Sequence, residues 1–317
     1  MIISEIEVGE LIRRFRGEGL YYRVGPFLIR GRSRIDSASR GLADLYADFP
    51  VAGSDEITDV DYVLSDCGVW FTRCNLILDG RLQYPRIVRR LAVPFVEWAL
   101  NVGVLQGFHQ FFVLHAGVVE RGGRVAIFPG VAGKGKSTLT AALVSRGWRL
   151  LSDEAALIDP ADGLIHPAPR PISLKNESVD LIRRFAPKAR LGPSWPGTVK
   201  GIVSHMVPPA ESVARALERA KPGWMIFPMY TPGASPEMHP CSKARALVTA
   251  GDQAFNYGLL GRRGFEVLAN LIEACDCYKF VYSDLEGAVA AMNALTITSS
   301  AACEVSSVNA TEPEPVR

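Results

Sequence analysis

The stretch GVAGKGKST, Gly130 to Thr138, follows the apolar run VAIFP (125–129) and leads into TLTAALVSRG, an amphipathic segment that stops at Gly147. Gly130, Gly135, Lys136 and Ser137 stand in the register G-x-x-x-x-G-K-[ST], between a strand-like and a helix-like segment. Glycines without side chains let consecutive backbone N–H groups turn inward around an anion, and the N-terminus of the next helix adds partial positive charge. Gly130, Val131, Ala132, Gly133, Lys134, Gly135, Lys136, Ser137 and Thr138 are therefore expected to cradle a polyphosphate. Lys136 would neutralise its β and γ oxygens, and the Ser137 hydroxyl would ligate the magnesium that accompanies it, so ATP and Mg2+ are the implied ligands.

Composition frames this motif. The chain has 317 residues, 48% hydrophobic and 21% charged, as folded domains do. That length suits a catalytic domain plus a smaller one. A net charge of +2 spread over both signs gives no electrostatic reason to expect nucleic acid or an anionic membrane as partner. Cys67, Cys74, Cys241, Cys275, Cys277 and Cys303 form no C-x-x-C pair, so free thiols in a reducing, cytoplasmic setting are expected. The N-terminus, MIISEIEVGELIRR, carries acids early and lacks the apolar core of a secretory signal. Trp98 to Val119 contains no Asp, Glu, Lys or Arg and is long enough to cross a bilayer, but polar Asn101, Gln106, His109, Gln110 and His115 interrupt it. It reads as a buried helix followed by a buried strand, with no membrane span.

Outward from the motif, LYYRVGPFLIRG (20–31) predicts a hairpin turning at Gly25-Pro26, and Ser37 is placed to cap a helix that buries Leu42, Leu45 and Tyr46. Three short strands, DYVLSD, GVWFTR and NLILDG, complete a small α+β domain over residues 1–85, ending near Tyr84-Pro85. Residues 86–295 form the P-loop domain, opening with a helix from Arg86 to Gln110. There, FFVLHAGVVERGGRVAIFPG predicts two strands joined by the turn Arg121-Gly122-Gly123, and a second hairpin turns at Pro160 to Gly163. RPISLK reads as a strand, Asn176 to Phe185 as a helix, and the Pro- and Gly-rich Ala186 to Pro209 as an extended loop over a site. WMIFPMY and YKFVYS read as strands, TPGASPEMHP as a loop, and the tail 296–317 as disordered.

A phosphate loop specifies a nucleotide but no reaction. Asp153-Glu154 closes the apolar strand RLLS shortly after Lys136, where a carboxylate can give magnesium its second anchor or accept a proton from an attacking hydroxyl. Ser137, Asp153 and Glu154 are thus the candidate metal ligands, and Asp153, His115 and Lys136 the candidate catalytic residues. His115 lies mid-strand on the face shared by Val113 and Gly117. Alone, such a histidine in an apolar strand is more often a satisfied core residue. Lys175, Lys200, His205 and Arg245 are further cations that could grip phosphate or substrate.

The span LHAGVVERGGRVAIFPGVAGKGKSTLTAALVSRGWRLLSDEAALID (114–159) resembles the catalytic core of the HPr kinase/phosphorylase family, and more closely the HPr kinase-related proteins found in bacterial gene clusters. The shared order is a histidine strand, a short hairpin, the phosphate loop, a helix ending in Arg146-Gly147, and an apolar strand running into paired acids. The resemblance implies an α/β, phosphoenolpyruvate carboxykinase-like P-loop catalytic domain and transfer of phosphate from ATP to a serine hydroxyl. In it the residue matching Asp153 is the base, and the one matching His115 lies beside the transferred phosphate. Two departures stand out: Glu154 replaces an aspartate, and RPISLKNESVDLI replaces a Gly-rich signature, with Lys175 roughly where an arginine is expected. The implied partner is a peptide or small protein substrate, and the parent family's assemblies make a homo-oligomer the corresponding expectation. A small-molecule kinase and a non-catalytic ATP-binding switch are the alternatives.

Overall fold

Residues 1–68, 72–131 and 133–295 are described by the computed structural model, which is mixed α/β with ten α-helices and sixteen strands in three sheets. Ala132, the tail 296–317 with Cys303, and the centre of the expected strand GVWFTR lie outside the described residues. No helix among the described residues is long and apolar enough to cross a membrane.

The chain opens with α1 (Val8–Arg16), then β1 (Leu20–Val24) and β2 (Phe27–Ser33), joined at Gly25-Pro26 as the sequence predicts. α2 (Asp36–Leu45) buries Leu42, Leu45 and the following Tyr46, yet its N-cap is Ile35 and no side chain caps it. Ser37 sits inside its first turn, so the expected cap is not one. β3 (Val60–Cys67) pairs parallel with β2, and β4 (Arg73–Leu78) and β5 (Arg81–Val88) extend the sheet antiparallel in the order β1-β2-β3-β4-β5. Tyr84-Pro85 therefore lies within a strand, and the helix expected from Arg86 begins only at Ala92, as α3 (Ala92–Gly107). β5 is the sheet edge, where a proline's missing N–H costs no ladder bond. α3 packs on β3, β4 and β5. Its Val96, Ala99 and Leu100 share one apolar core with Tyr62 and Leu76, and that core runs on into Val113, Ala155 and Leu157. Contact across this junction is close: at Gly25, φ +56°, a Cβ would meet the Pro167 carbonyl oxygen at 2.0 Å.

The remaining elements follow in order: β6 (Phe112–Arg121), β7 (Arg124–Pro129), α4 (Lys136–Ser145), β8 (Arg149–Ser152), β9 (Ala155–Ile158), β10 (Ile165–His166), β11 (Ile172–Lys175) and α5 (Glu177–Phe185). After them come β12 (Trp195–Thr198), β13 (Gly201–Met206), α6 (Ala210–Ala214), β14 (Lys221–Tyr230), β15 (Glu237–Pro240), α7 (Lys243–Gly251), α8 (Tyr257–Leu260), α9 (Arg262–Glu273), β16 (Asp276–Tyr282) and α10 (Leu285–Asn293). The large sheet has the order β10-β9-β6-β7-β14-β16-β15, with β8 also on β6. β7, β14 and β16 run parallel, while β6, β8, β9 and β15 are antiparallel to their neighbours.

Period-two alternation sorts the sheet's two faces. Phe112, Leu114, Ala116, Val118, Val125 and Ile127 pack with α7 and α9, while Val119, Ala126 and Phe128 pack with α4 and α10. Leu139 and Leu143 of α4 are fully buried there, each worth about 1.5–3 kcal/mol of transfer free energy. The segment expected as a loop, 186–209, instead contains β12 and β13, which join β11 in a three-stranded antiparallel sheet. Likewise TPGASPEMHP is a loop only at its start, since Glu237–Pro240 is β15.

Candidate active site

β7 ends at Pro129, buried between β6 and β14, so the chain leaves the sheet centre at Gly130 and re-enters order at α4. Gly135 caps α4 in the left-handed region, φ +88°, and a Cβ there would meet the Tyr282 hydroxyl at 2.6 Å. That hydroxyl donates to the Gly135 carbonyl at 3.3 Å, so the end of β16 braces the loop. Lys136 is buried, and its Nζ donates to the carbonyls of Gly130 and of Val131, the latter at 3.0 Å. Burial lowers its pKa, against the pull of Glu154 and Asp153. Val131 and Lys134 point outward and are exposed.

Opposite the loop, β8 and β9 are two lengths of strand on the same partner. Val118 pairs with Ser152 and His115 with Ala155, and the ladder breaks between them at Asp153-Glu154. That break turns the acids toward α4. Glu154 Oε2 lies 3.1 Å from His115 Nε2. Although burial opposes it, the hydrogen bond from His115 and the charge of Lys175 hold the Glu154 carboxyl well below its ordinary range. Asp153 is buried one layer deeper. Its Oδ2 accepts from the Ser173 N–H at 3.1 Å, the Ser137 side chain lies alongside, and Oδ1 has no partner. Burial, then the charge of Glu154, push the Asp153 carboxyl up to about 7.

A cavity of about 370 Å³ gathers these groups: His115, Gly133, Gly135, Lys136, Ser137, Thr138 and Glu154 meet Ser173, Lys175, Asn176, Ser178 and Lys200. Asp153 lies beneath its floor, in contact with the floor residues Ser137 and Ser173. Of the four additional cations, Lys175 and Lys200 line this cavity. His205 does not: it is buried against Trp195 with neither ring nitrogen partnered, and burial drives its pKa down to about 3. Arg245 is exposed on α7, apart from the cavity-lining residues.

Ser173, Asn176 and Ser178 escaped sequence reasoning, since small polar residues after a strand carry no spacing signal. Among the described residues no cluster of three or more His, Cys, Asp or Glu side chains could hold a metal by itself. The Ser137 hydroxyl beside a buried, unpartnered Asp153 oxygen fits the sparse protein ligation of a magnesium that keeps phosphate and water ligands. Neither protein-family models nor curated proteins match the chain.

Proposed function

We propose that the chain is a Mg-ATP-dependent kinase that transfers the γ-phosphate to a serine-type hydroxyl of a peptide or small protein, on a P-loop domain of the HPr kinase and phosphoenolpyruvate carboxykinase type. The observation that carries the reading is the break between β8 and β9, which brings Glu154 into one cavity with Lys136, Ser137 and His115 and sets Asp153 directly beneath it, against Ser137. The mixed sheet supports the fold assignment: the loop strand β7 has an antiparallel neighbour, β6, where a doubly wound sheet would have a parallel one.

The geometry supports the following roles. Loop amides and the N-terminus of α4 hold the triphosphate, and Lys136, now resting on loop carbonyls, has only to turn to reach it. Ser137 with the Asp153-Glu154 pair would hold the magnesium, which would neutralise charge on the phosphates. Asp153, with one oxygen fixed by Ser173 and the other free, takes the proton from the acceptor hydroxyl, and its raised pKa suits a base working near neutrality. The new O–P bond forms as the bond from the γ-phosphorus to the bridging oxygen breaks, and ADP leaves with that electron pair. Glu154 keeps the His115 imidazole turned into the cavity, beside the transferred group. Incubation with γ-labelled ATP, magnesium and cell extract tests the reading, and label on a polypeptide is expected. Label on a metabolite would make it a small-molecule kinase, and no label on either would favour a nucleotide switch.

A further inference from the structure

Three lysines reach the cavity but only one belongs to the phosphate loop. Lys175 ends β11 and Lys200 sits in the turn between β12 and β13, so both come from the three-stranded sheet that faces the loop across the cavity. No carboxylate lies within ion-pair distance of either among the described residues: Glu154, the one acid lining the cavity, is engaged with His115, and Asp153 is held by Ser173. Lys200 is nonetheless placed. Its ammonium lies 4.9 Å over the ring of Trp98, a residue of α3, which fixes a cation without neutralising it. Arg90, just before α3, donates to the Pro196 carbonyl at 3.4 Å and ties β12 to the same unit. Burial, then the nearby charge of Lys175, disfavours the charged form of Lys200 against the pull of Glu154, an arrangement that an incoming anion relieves. Val199 and Ile202, close to Lys200 in the chain, are 88% and 45% exposed, so the turn that carries the cation also presents apolar surface. That combination suits a polypeptide better than a small polar metabolite.

We propose that Lys200, seated on Trp98 and seconded by Lys175, is an acceptor-side anion grip, which makes the acceptor a polypeptide hydroxyl with an acidic residue next to it. The proposal rests on the kinase reading for the word acceptor, but the grip itself is a binding property. It also gives the five-stranded sheet a part in the chemistry, because α3, which packs on β3, β4 and β5, carries the ring on which the grip is seated.

Two acetylated, amidated peptides, Ala-Glu-Ser-Glu-Ala and Ala-Gln-Ser-Gln-Ala, serve as probes for the full chain with Mg-ADP, by titration calorimetry, and with γ-labelled Mg-ATP, by transfer. The acidic peptide is expected to bind about tenfold more tightly, as an ion pair at a partly desolvated site allows. Lys200→Gln should erase the preference and Lys200→Arg should keep most of it, with ADP affinity within about twofold in both variants. Equal affinities, undetectable binding of both peptides, or a preference that survives Lys200→Gln would overturn the grip. Transfer without an acidic preference also overturns the grip and leaves the kinase standing. Lys200-dependent binding without transfer keeps the grip and sinks the kinase.

Discussion

β6 carries two ionisable pairs, at Glu120 near its end and at His115 toward its middle, and the two ends of that span are built to opposite purposes. At Glu120 the cross-strand partner is Arg149, 2.7 Å away, with both side chains 6% exposed. Arg149 also donates to the carbonyls of Arg215 and Glu218, and Glu120 accepts from the Gly123 N–H at 2.6 Å, so each charge is answered locally. At His115 the partner is Glu154, about one quarter exposed like the histidine itself, and both line a cavity. Around that end, among the described residues, Asp153 Oδ1 has no hydrogen-bond partner and neither Lys175 nor Lys200 has a carboxylate within ion-pair distance. Burial of charge is common to both ends, and what separates them is closure. A closed pair serves the fold, whereas charges held near one another and left unanswered are set up for something that arrives.

The largest effect that would break this contrast is on stability. Arg149→Met strands Glu120 in the interior with the Gly123 N–H and a guanidinium of Arg215 3.8 Å away, and should cost about 3 kcal/mol or more in urea denaturation. His115→Gln, at the open end, should cost less than about 1 kcal/mol in the same measurement. Equal costs would dissolve the distinction. Next comes nucleotide affinity: Lys136→Met removes a charge-assisted contact worth about 1.5–3 kcal/mol, so ATP binding measured by calorimetry should weaken about 10- to 100-fold without loss of fold. The smallest effect concerns pH. Folding raises the Asp153 carboxyl from its ordinary 3.8 up to about 7, so the folded state holds the extra proton and stability from this group falls as pH climbs through that window. Asp153→Asn should therefore melt at or above the wild type at pH 8, with the advantage gone at pH 4, by calorimetric scanning.

Much of the half that carries the glycine-rich loop was legible in the sequence because its signals are local. Gly130 to Ser137 fixes a strand, a loop and a helix by backbone need alone, and the alternation from Phe112 to Val119 marks a strand with His115 on the helix-covered face. The acids of Asp153-Glu154 could be placed at a strand end, although not the ladder break that separates their environments, because that depends on pairing with β6. Proline misled twice. Pro85 suggested a boundary and lies in an edge strand, and the prolines and glycines from Ala186 to Pro209 suggested a loop where β12 and β13 tolerate them at a bulge and a turn. Ser37 had the chemistry of a cap but stands two residues past the N-cap position, inside the first turn. The seat of Lys200 on Trp98 joins residues about a hundred positions apart, which no local pattern encodes.

Asp153→Asn in the presence of γ-labelled Mg-ATP tests the open end most directly. Transfer should fall about 10²- to 10⁴-fold, the usual contribution of a general base, while ATP affinity stays within about threefold of wild type. A variant that transfers phosphate as fast as the wild type, or that loses ATP binding together with transfer, would contradict Asp153 as the base and with it the meaning assigned to the unanswered charges around His115.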